Sequence, residues 1–578
     1  MSTLNNIWQI LDSRKKKQFL GLFFLLLVGS ILEIMSIGMI LPVLTFLAQD
    51  LNTVNLEMNI FSNFLEILSN YSKKDLLKYS LIIFCCIYLF RSFFLFYLNW
   101  IQNNFVYGWK VNLSNAVFKK YLFLPYIFHL KNNSAELQRN VVIEVDKCVG
   151  LVNHVLLLLL EIFVLTGIVI MLLFISWEIT LSIFSVLGIF SLLFYFGINR
   201  KIEEVSKKRF ISEGSRLKYL KQGLNGIKDI KIYGKISEFL SKFSEANIDN
   251  QKSYQIFLLL QKSPRFIIES SAVLFISITT LVLFNKNMQF STILPIIGIF
   301  VLSSIRLIPA LNKIINFYNA IKYDQPSLNS ISKVLNLQEK TQKFDFKGEK
   351  NDEVIFEKNI KLKNISHKYD GKRDFSIKEA SFEIKSGEFV AFVGRSGSGK
   401  TTLADIILGL LEPNTGHVLV DEKNIFENLE SWQNLIGYVP QQVYLTDDTL
   451  KNNIAYGFSD HEINDEMIWD VIKKSQLSQL VEKLPKGIDT FVGEFGKNLS
   501  GGEKQRIGIA RALYKNPKLI FLDESTNSLD EKTESQIFDL VEKLKREKTI
   551  IFITHKESLI RNVDSIFSFS EGEIEKIK

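Results

Sequence analysis

Two segments in the second half of the chain combine residues suited to phosphate chemistry. The first, GRSGSGKTT at residues 394–402, lies between the apolar run EFVAFVG and the helical pattern LADIILGLL. Between a strand and a helix, this spacing is the P-loop pattern, in which glycines let backbone N–H groups approach phosphate at a positive helix N-terminus. We predict that Lys400 reaches the β- and γ-phosphates and that Thr401 binds Mg²⁺. The predicted nucleotide-contacting loop residues are Gly394, Arg395, Ser396, Gly397, Ser398, Gly399, Lys400, Thr401 and Thr402.

The second segment, LIFLDE at residues 519–524, is a run typical of a buried strand and ends in two carboxylates. Asp523 suits Mg²⁺ binding at a strand end, and Glu524 suits orienting or deprotonating an attacking water. An apolar strand followed by Asp-Glu is common on its own, but its pairing with an upstream P-loop makes it specific. The two segments together predict an ATP-hydrolysing domain with ATP and Mg²⁺ as cofactors.

Between them, NLSGGEKQR at residues 498–506 resembles the signature motif of ABC transporters. Other elements of that family follow in the expected order: Tyr369 in HKYDG resembles the aromatic residue that stacks on adenine, Gln441 in YVPQQ the Q-loop glutamine, Asp530 in NSLD the D-loop and His555 in ITHKE the switch histidine. The segment VGEFGKNLSGG also resembles the exporter type, with Glu494 in its acidic position.

The resemblance implies roles for these positions. The catalytic residues would be Glu524, His555 and Gln441, and the Mg²⁺ ligands Thr401, Gln441 and Asp523. Two such domains would enclose two ATP molecules, with Ser500, Gly501 and Gly502 of one copy facing the γ-phosphate held by Lys400 of the other. A chain with one nucleotide domain should therefore work as a dimer, most simply a homodimer. Glu503, where Gln is commoner, and Asn-Ser in the D-loop depart from the pattern without removing a phosphate ligand.

The first half of the chain is much more apolar than the second. Of the 578 residues 47% are hydrophobic, and mean hydropathy is +0.14. Because a membrane span needs about 20 apolar residues, we predict spans near 18–48, 77–107, 151–176, 178–199, 265–285 and 290–316. The first is too long for a signal peptide and has no cleavage motif. The three cysteines indicate no disulfide framework or zinc site.

Basic residues give these spans a direction. The net charge of +8 is concentrated beside the apolar segments, which the positive-inside rule explains without nucleic acid. The N-terminus and the two long polar loops should face the cytoplasm, and those loops resemble exporter coupling segments. In VNLEMNIFSNFLEIL the apolar residues recur at helical spacing, which predicts either a short amphipathic helix on the outer membrane surface or a helix packed on span one.

The expected fold is therefore multidomain. An all-α six-helix transmembrane domain of the ABC exporter type, residues 1–316, precedes a polar linker, residues 317–353. An α/β P-loop nucleotide-binding domain follows at residues 354–578, because short β-rich runs there alternate with helical stretches. The resemblance implies a multi-pass protein of the bacterial inner membrane with its nucleotide-binding domain in the cytoplasm.

Three arginines, Arg91, Arg265 and Arg306, lie inside or at the edge of predicted spans. Since an arginine at a span centre costs about 2.5–3.5 kcal/mol on insertion scales, it usually faces a cavity or the protein interior. These arginines either line a cationic cavity or are paired structurally. Arg265 has Glu269 one turn away, and Glu33 and Glu161 on other spans are within conceivable reach of Arg91 and Arg306.

A cationic cavity favours an anionic cargo. The spans resemble those of bacterial lipid-linked oligosaccharide flippases, which implies flipping of an undecaprenyl-pyrophosphate-linked glycan used in protein glycosylation, with the three arginines near the pyrophosphate. Two alternatives stay open: an ABC exporter of peptides, lipids or hydrophobic drugs, and an ATP-gated channel or regulatory subunit without cargo. The short N-terminus disfavours a peptidase-fused peptide exporter, and the complete ATPase motifs disfavour the channel.

Overall fold

A computed structural model describes residues 2–39, 73–175, 177–285, 290–337, 354–369, 375–524, 531–555 and 562–578. Contacts divide the chain into two compact units, one of residues 1–123 and 132–338, the other of residues 124–131 and 339–578. The predicted outer-surface helix falls on residues that lie outside the described ones. So does the D-loop residue Asp530.

The first unit is built from helices. After α1 (Ser2–Ile10) and α2 (Ser13–Gly38) come α3 (Lys73–Phe123), α4 (Tyr126–Lys131, in the second unit) and α5 (Ser134–Arg139). A π-helical turn (Asn140–Glu144) leads into α6 (Val145–Ile175), and α7 (Trp177–Asn225), α8 (Ile227–Ile232), α9 (Ile236–Asn285) and α10 (Phe290–Leu335) follow. Each of the six predicted spans falls largely in one of the long helices α2, α3, α6, α7, α9 and α10.

Several of these helices are apolar along their length. Among the described residues, three segments are long and apolar enough to cross a membrane: Ser13–Ser36, Lys78–Phe123 and Ser134–Phe174. The helix α10 continues well past residue 316, so the first part of the predicted polar linker is helical. The polar residues after 316 extend α10 beyond its apolar segment. Residues 338–353 of the predicted linker lie outside the described residues.

Close packing holds the helices of this unit together. Val164, Ile168 and Leu172 on α6 are buried in one cluster with Leu307 on α10. Gly167 on α6 meets α2 so closely that a Cβ there would lie 1.9 Å from the Ile34 Cδ1 atom. Small residues allow helices to approach to this degree without a driving force from water.

The second unit contains two sheets. Its strands are β1 (Asn359–His367), β2 (Ile377–Lys385), β3 (Phe389–Gly394), β4 (Thr415–Val420), β5 (Lys423–Asn424), β6 (Ile436–Val439), β7 (Leu519–Asp523), β8 (Thr549–Ile553), β9 (Ser565–Ser570) and β10 (Glu573–Lys576). One sheet has the order β2-β1-β4-β5 and is antiparallel. The other has the order β10-β9-β3-β8-β7-β6 and is parallel except at β10.

Helices cover these sheets: α11 (Lys400–Ile407), α12 (Leu429–Asn434), α13 (Leu450–Ile454), α14 (Asp465–Lys474), α15 (Ser478–Lys483), α16 (Gly501–Tyr514) and α17 (Glu531–Lys543). The central strand β3 is buried from Phe389 to Phe392, as its continuous apolar run predicts for a parallel strand covered on both faces. The predicted six-helix membrane domain followed by an α/β domain is thus the observed fold.

Two short helices match the predicted coupling segments, α4 in the first and α8 in the second. Residues 124–131, which contain α4, group with the second unit although the sequence prediction placed them in the transmembrane domain. Within that unit Ile127 packs against the core beneath β1 and β3. An apolar side chain on a polar loop is the physical reason for this grouping.

Candidate active site

The P-loop joins β3 to α11 at the carboxyl edge of the parallel sheet. Gly399 has φ 107°, and a Cβ at this position would lie 2.4 Å from the Ser376 carbonyl oxygen. A Cβ on Gly394 would lie equally close to the Phe569 carbonyl oxygen. Only glycine fits these two places, so the tight loop requires them. The spacing of the motif therefore specifies the backbone cradle as well as its side chains.

Lys400 is folded back onto this cradle. Its Nζ donates to the carbonyl oxygens of Gly394 at 2.7 Å and Arg395 at 2.9 Å. Burial lowers the pKa of Lys400, and the charges of Glu524 and Asp523 oppose that shift. Among the described residues the buried Ser398 Oγ has no hydrogen-bond partner. An ammonium group and an unpartnered hydroxyl on a glycine loop fit a bound phosphate chain.

The two predicted carboxylates lie where β7 ends. Burial, and then the negative charge of Glu524, raises the pKa of Asp523. Burial and the charge of Asp523 raise the pKa of Asp405, on α11, to about 7. A divalent cation would relieve this crowding of negative charge, so the site fits Mg²⁺. The described residues hold no cluster of three or more His, Cys, Asp or Glu side chains placed to bind a metal.

The three predicted catalytic residues come together. Gln441 Nε2 donates to Glu524 Oε2 at 3.1 Å, and His555 Nδ1 lies 3.6 Å from Glu524 Oε1. Each follows the carboxyl end of one of three adjacent parallel strands, β6, β7 and β8, which explains why distant residues meet. The Gln441 carbonyl oxygen also accepts a hydrogen bond from Gln505 Nε2 at 2.8 Å. A carboxylate held between an amide and an imidazole can orient a water molecule.

Glu524 has an uncommon backbone. Its φ of 43° lies in the left-handed region, although it is not a glycine. Its backbone N–H donates to the Ile553 carbonyl oxygen at 3.2 Å, which fixes it to the end of β8. Strained residues of this kind occur at functional sites, where surrounding structure holds them.

Tyr369 lies near Thr402, at the end of the P-loop segment 394–402. Its hydroxyl is 3.4 Å from Thr402 Oγ1, and its ring meets the His367 ring edge-on with centroids 5.1 Å apart. Burial, followed by the charges of Asp405 and Tyr369, raises the pKa of Tyr126 on α4. Tyr369 is thus placed beside the P-loop helix, although its stacking on adenine stays a prediction.

The signature residues lie at the start of α16. Ser500 is the N-cap, and Glu503 completes a capping box with it. No hydrogen bond within the described residues joins Ser500, Gly501 or Gly502 to the P-loop. That separation is compatible with the predicted arrangement in which these residues serve the ATP of a second copy. The side chain of Glu494, in front of the motif, is outside the description.

Sequence reasoning missed two polar residues at this site. Tyr438 on β6 donates from its hydroxyl to Asp523 Oδ2 at 3.4 Å. Asp405, on the P-loop helix α11, interacts electrostatically with the same carboxylate. Both belong to short segments quoted above, YVPQQ and LADIILGLL, but only the packing of α11 against the sheet reveals that each lies near Asp523.

The predicted cargo arginines, in the first unit, have different surroundings. Arg91 Nη2 donates to Glu33 Oε1 at 2.7 Å, and Arg265 Nε donates to Glu269 Oε1 at 2.7 Å. Both contacts favour the paired alternative in this conformation. Glu161 pairs with Lys313 at 2.6 Å, a partner that sequence reasoning did not consider. Arg306 lies in α10, and its side chain is outside the described residues.

Comparison with known proteins covers both units. The family model described as ABC transporter matches residues 377–527, and the ABC transporter transmembrane region matches residues 39–305. The ATP-dependent lipid A-core flippase of Pasteurella multocida (strain Pm70) is 27% identical over 487 residues, 83% of this chain and 81% of that protein. The flippase of the same name from Francisella tularensis subsp. tularensis (strain SCHU S4 / Schu 4) is 30% identical over 468 residues, 79% of this chain and 75% of that protein.

A solved structure agrees with the fold. A bacterial Atm1-family ABC exporter with ATP bound superposes with a TM-score of 0.77 at 20% identity, covering 98% of this chain and 96% of that one. At this identity the likeness bears on fold alone. Together with the curated relatives and the assembled nucleotide site, it leads to one assignment. The chain belongs to the ABC transporter family and is an exporter-type half-transporter whose ATPase domain hydrolyses ATP to drive transport.

Proposed function

We propose that this ATP-driven exporter flips an undecaprenyl-pyrophosphate-linked oligosaccharide from the inner to the outer leaflet of the bacterial inner membrane. The main support for a lipid cargo is that similarity to a lipid A-core flippase extends over 79% of the chain. A match of this length includes the spans, where cargo is selected, and not only the ATPase domain. The oligosaccharide is the finer part of the proposal and depends on the resemblance in the spans.

An anionic headgroup is supported by the surroundings of Arg91. Its guanidinium uses Nη2 to bind Glu33, and its centre lies 5.1 Å from the centre of the Tyr88 ring. The buried Nε has no hydrogen-bond partner among the described residues. Guanidinium has five donors in a planar fork that matches phosphate oxygens. Arg91 therefore keeps donors with which to bind pyrophosphate when the helices rearrange.

The other two arginines contribute differently to the proposal. The Arg265 side chain is 68% exposed, and its contact with Glu269 is a local i,i+4 pair. Such exposed pairs contribute only about 0.3–0.5 kcal/mol, so an arriving phosphate competes with the pair at little cost. Arg306, in the apolar part of α10, stays a cargo-contact candidate from its position in the sequence.

The geometry of the site supports the ATPase roles that we propose for its residues. Mg²⁺, held by Thr401, Gln441 and Asp523, would neutralise charge on the β- and γ-phosphates. Lys400 would leave the two loop carbonyls and bind phosphate instead. Glu524, positioned by Gln441 and His555, would orient the attacking water and accept its proton.

Two copies are needed for this chemistry if Ser500–Gly502 of each serves the ATP of the other. We therefore propose a homodimer with both nucleotide-binding domains in the cytoplasm, closing when ATP is bound and opening after hydrolysis. The basic loops between spans support this cytoplasmic position, because such loops usually remain on the cytoplasmic side.

The cargo can be tested in proteoliposomes containing the purified full chain and a fluorescent lipid-linked oligosaccharide. The proposal predicts ATP-dependent appearance of the label in the opposite leaflet, and its loss in the Glu524→Gln variant. Arg306→Lys is the matched control for Arg306→Ala, because it retains the charge while removing the planar fork. Export of a peptide or dye without movement of the lipid would refute the flippase.

A further inference from the structure

We infer that Glu503 sets the ATP affinity of the transporter by competing with the γ-phosphate for the hydrogen-bond donors of Ser500. This inference rests on the proposed two-copy ATP site but is independent of the cargo. Glu503 does not contact the reacting atoms; it acts through Ser500 as a positioning residue.

The carboxylate of Glu503 engages both donors of Ser500. Its Oε2 accepts from the Ser500 backbone N–H at 2.7 Å and from the Ser500 hydroxyl at 2.8 Å. The Ser500 Oγ in turn accepts from the Glu503 backbone N–H at 3.3 Å. An incoming phosphate oxygen at this N-terminus would need a donor that one carboxylate oxygen already occupies.

Charge strengthens this competition. Hydrogen bonds to an ionised acceptor are about twice as strong as those between neutral groups, and a carboxylate also repels an approaching phosphate. The positive end of α16, a helix of 14 residues, stabilises whichever anion lies there. The Glu503 carboxylate therefore occupies the helix N-terminus at which the γ-phosphate of ATP is expected to bind.

Within the described residues, neighbouring cations form no ion pair with the Glu503 carboxylate. Lys504 Nζ donates to the Phe495 carbonyl oxygen at 2.8 Å, and Arg506 Nη2 donates to Gln536 Oε1 at 2.8 Å. The two basic side chains nearest to Glu503 along α16 are thus hydrogen-bonded to other groups. The negative charge is left to act on Ser500 and on the phosphate.

Glu503→Gln separates this role from simple helix capping. Glutamine completes a capping box as well as glutamate does, so a purely structural role predicts unchanged kinetics. The competition instead predicts that half-saturating ATP falls about fivefold, the difference between charged and neutral acceptors. The substitution should lower KM for ATP and leave kcat unchanged. The difference in KM between variant and wild type should become smaller at high salt, which screens charges.

The experiment measures phosphate release against ATP concentration for the full chain in detergent. Glu466→Gln, in the first turn of α14, is the control with the same change in net charge. Glu503→Asp is a second variant, in which a shorter carboxylate keeps the charge but reaches Ser500 poorly, and we expect an intermediate KM. Thermal unfolding of each variant verifies folding.

Two results would overturn the inference. One is an ATP dependence of Glu503→Gln that matches the wild type; the other is a KM that rises instead of falling. In either case hydrolysis that still depends on Glu524 would leave the proposed ATP site standing. Hydrolysis that is indifferent to Glu524→Gln would refute that site itself.

Discussion

Glu144 is predicted to hold several helices of the first unit together. It is fully buried on the π-helical turn before α6. Its Oε2 lies 3.4 Å from Arg209 Nη1 and accepts from the Ser327 hydroxyl, while its Oε1 lies 3.5 Å from Arg139 Nε. One carboxylate thus connects α5, α7 and α10.

Replacing Glu144 with Gln keeps the shape of the side chain and removes its charge. Both arginines are almost fully buried, with 4% and 3% exposure for Arg139 and Arg209. Removing one partner from a buried ion pair costs about 3–5 kcal/mol. Arg139 keeps a 3.5 Å contact with Glu136, which favours the lower end of that range. At about 2–4 °C per kcal/mol, the melting temperature should fall by about 6–12 °C.

The measurement is thermal unfolding of the purified full chain in detergent. Glu203→Gln is the matched control, because Glu203 and Lys207 form an exposed pair on α7 at 2.9 Å. Such a pair contributes about 0.5 kcal/mol or less, so this variant should unfold within about 2 °C of the wild type. Equal effects of the two substitutions would refute the reasoning that burial makes the Glu144 charge indispensable.

Three further predictions concern catalysis, pH and cargo. Glu524→Gln should slow ATP turnover at least about 100-fold while leaving nucleotide binding intact, as measured by phosphate release and binding of a fluorescent ATP analogue; normal turnover would contradict its role. Burial raises the pKa of Asp324 to about 6, so the folded chain keeps this proton to higher pH than the unfolded chain does, and stability should fall as pH rises from about 4 to about 6. Asp324→Asn should remove that fall, so above about pH 6 the free energy of unfolding of the variant should exceed that of the wild type by up to about 3 kcal/mol. Unfolding measured across this pH range is the test, and parallel profiles of the two proteins would contradict the prediction. Arg306→Ala should lower the number of lipids flipped per ATP hydrolysed, and an unchanged ratio would favour a structural role.

The nucleotide site could be predicted from the sequence because its geometry is local. Between Gly394 and Thr402 the spacing of glycines already specifies the backbone, as the positive φ of Gly399 shows. Parallel strands then bring Gln441, Glu524 and His555 to one edge. The apolar run before Glu524, paired with the P-loop, was enough to predict that carboxylate, whereas Gln441 and His555 were predicted through the resemblance to ABC transporters.

The partners of charged residues in the spans were harder to predict. Arg265 and Glu269 are one helical turn apart, and their pairing follows from the sequence. Arg91 and Glu33 belong to different helices, so sequence could only name Glu33 as one candidate. Lys313 was missed as the partner of Glu161 because its register on α10 depends on how the helices pack.

Domain boundaries show the same limit. The polarity of residues 317–335 suggested a linker, yet the residues continue α10. A helix that leaves the bilayer becomes polar without ending, so composition marks the membrane surface and not the end of the element. Residues 124–131 likewise join the second unit through side-chain packing, which composition does not reveal.

The central claim is that ATP drives movement of a lipid-linked oligosaccharide by this chain. Its most direct test places the labelled oligosaccharide lipid and a labelled lipid A-core in the same proteoliposomes and follows both with ATP, for the wild type and for Glu524→Gln. We predict ATP-dependent flipping of the oligosaccharide lipid, faster than that of lipid A-core and abolished in the variant. Flipping of lipid A-core alone, or of neither lipid, would contradict the claim.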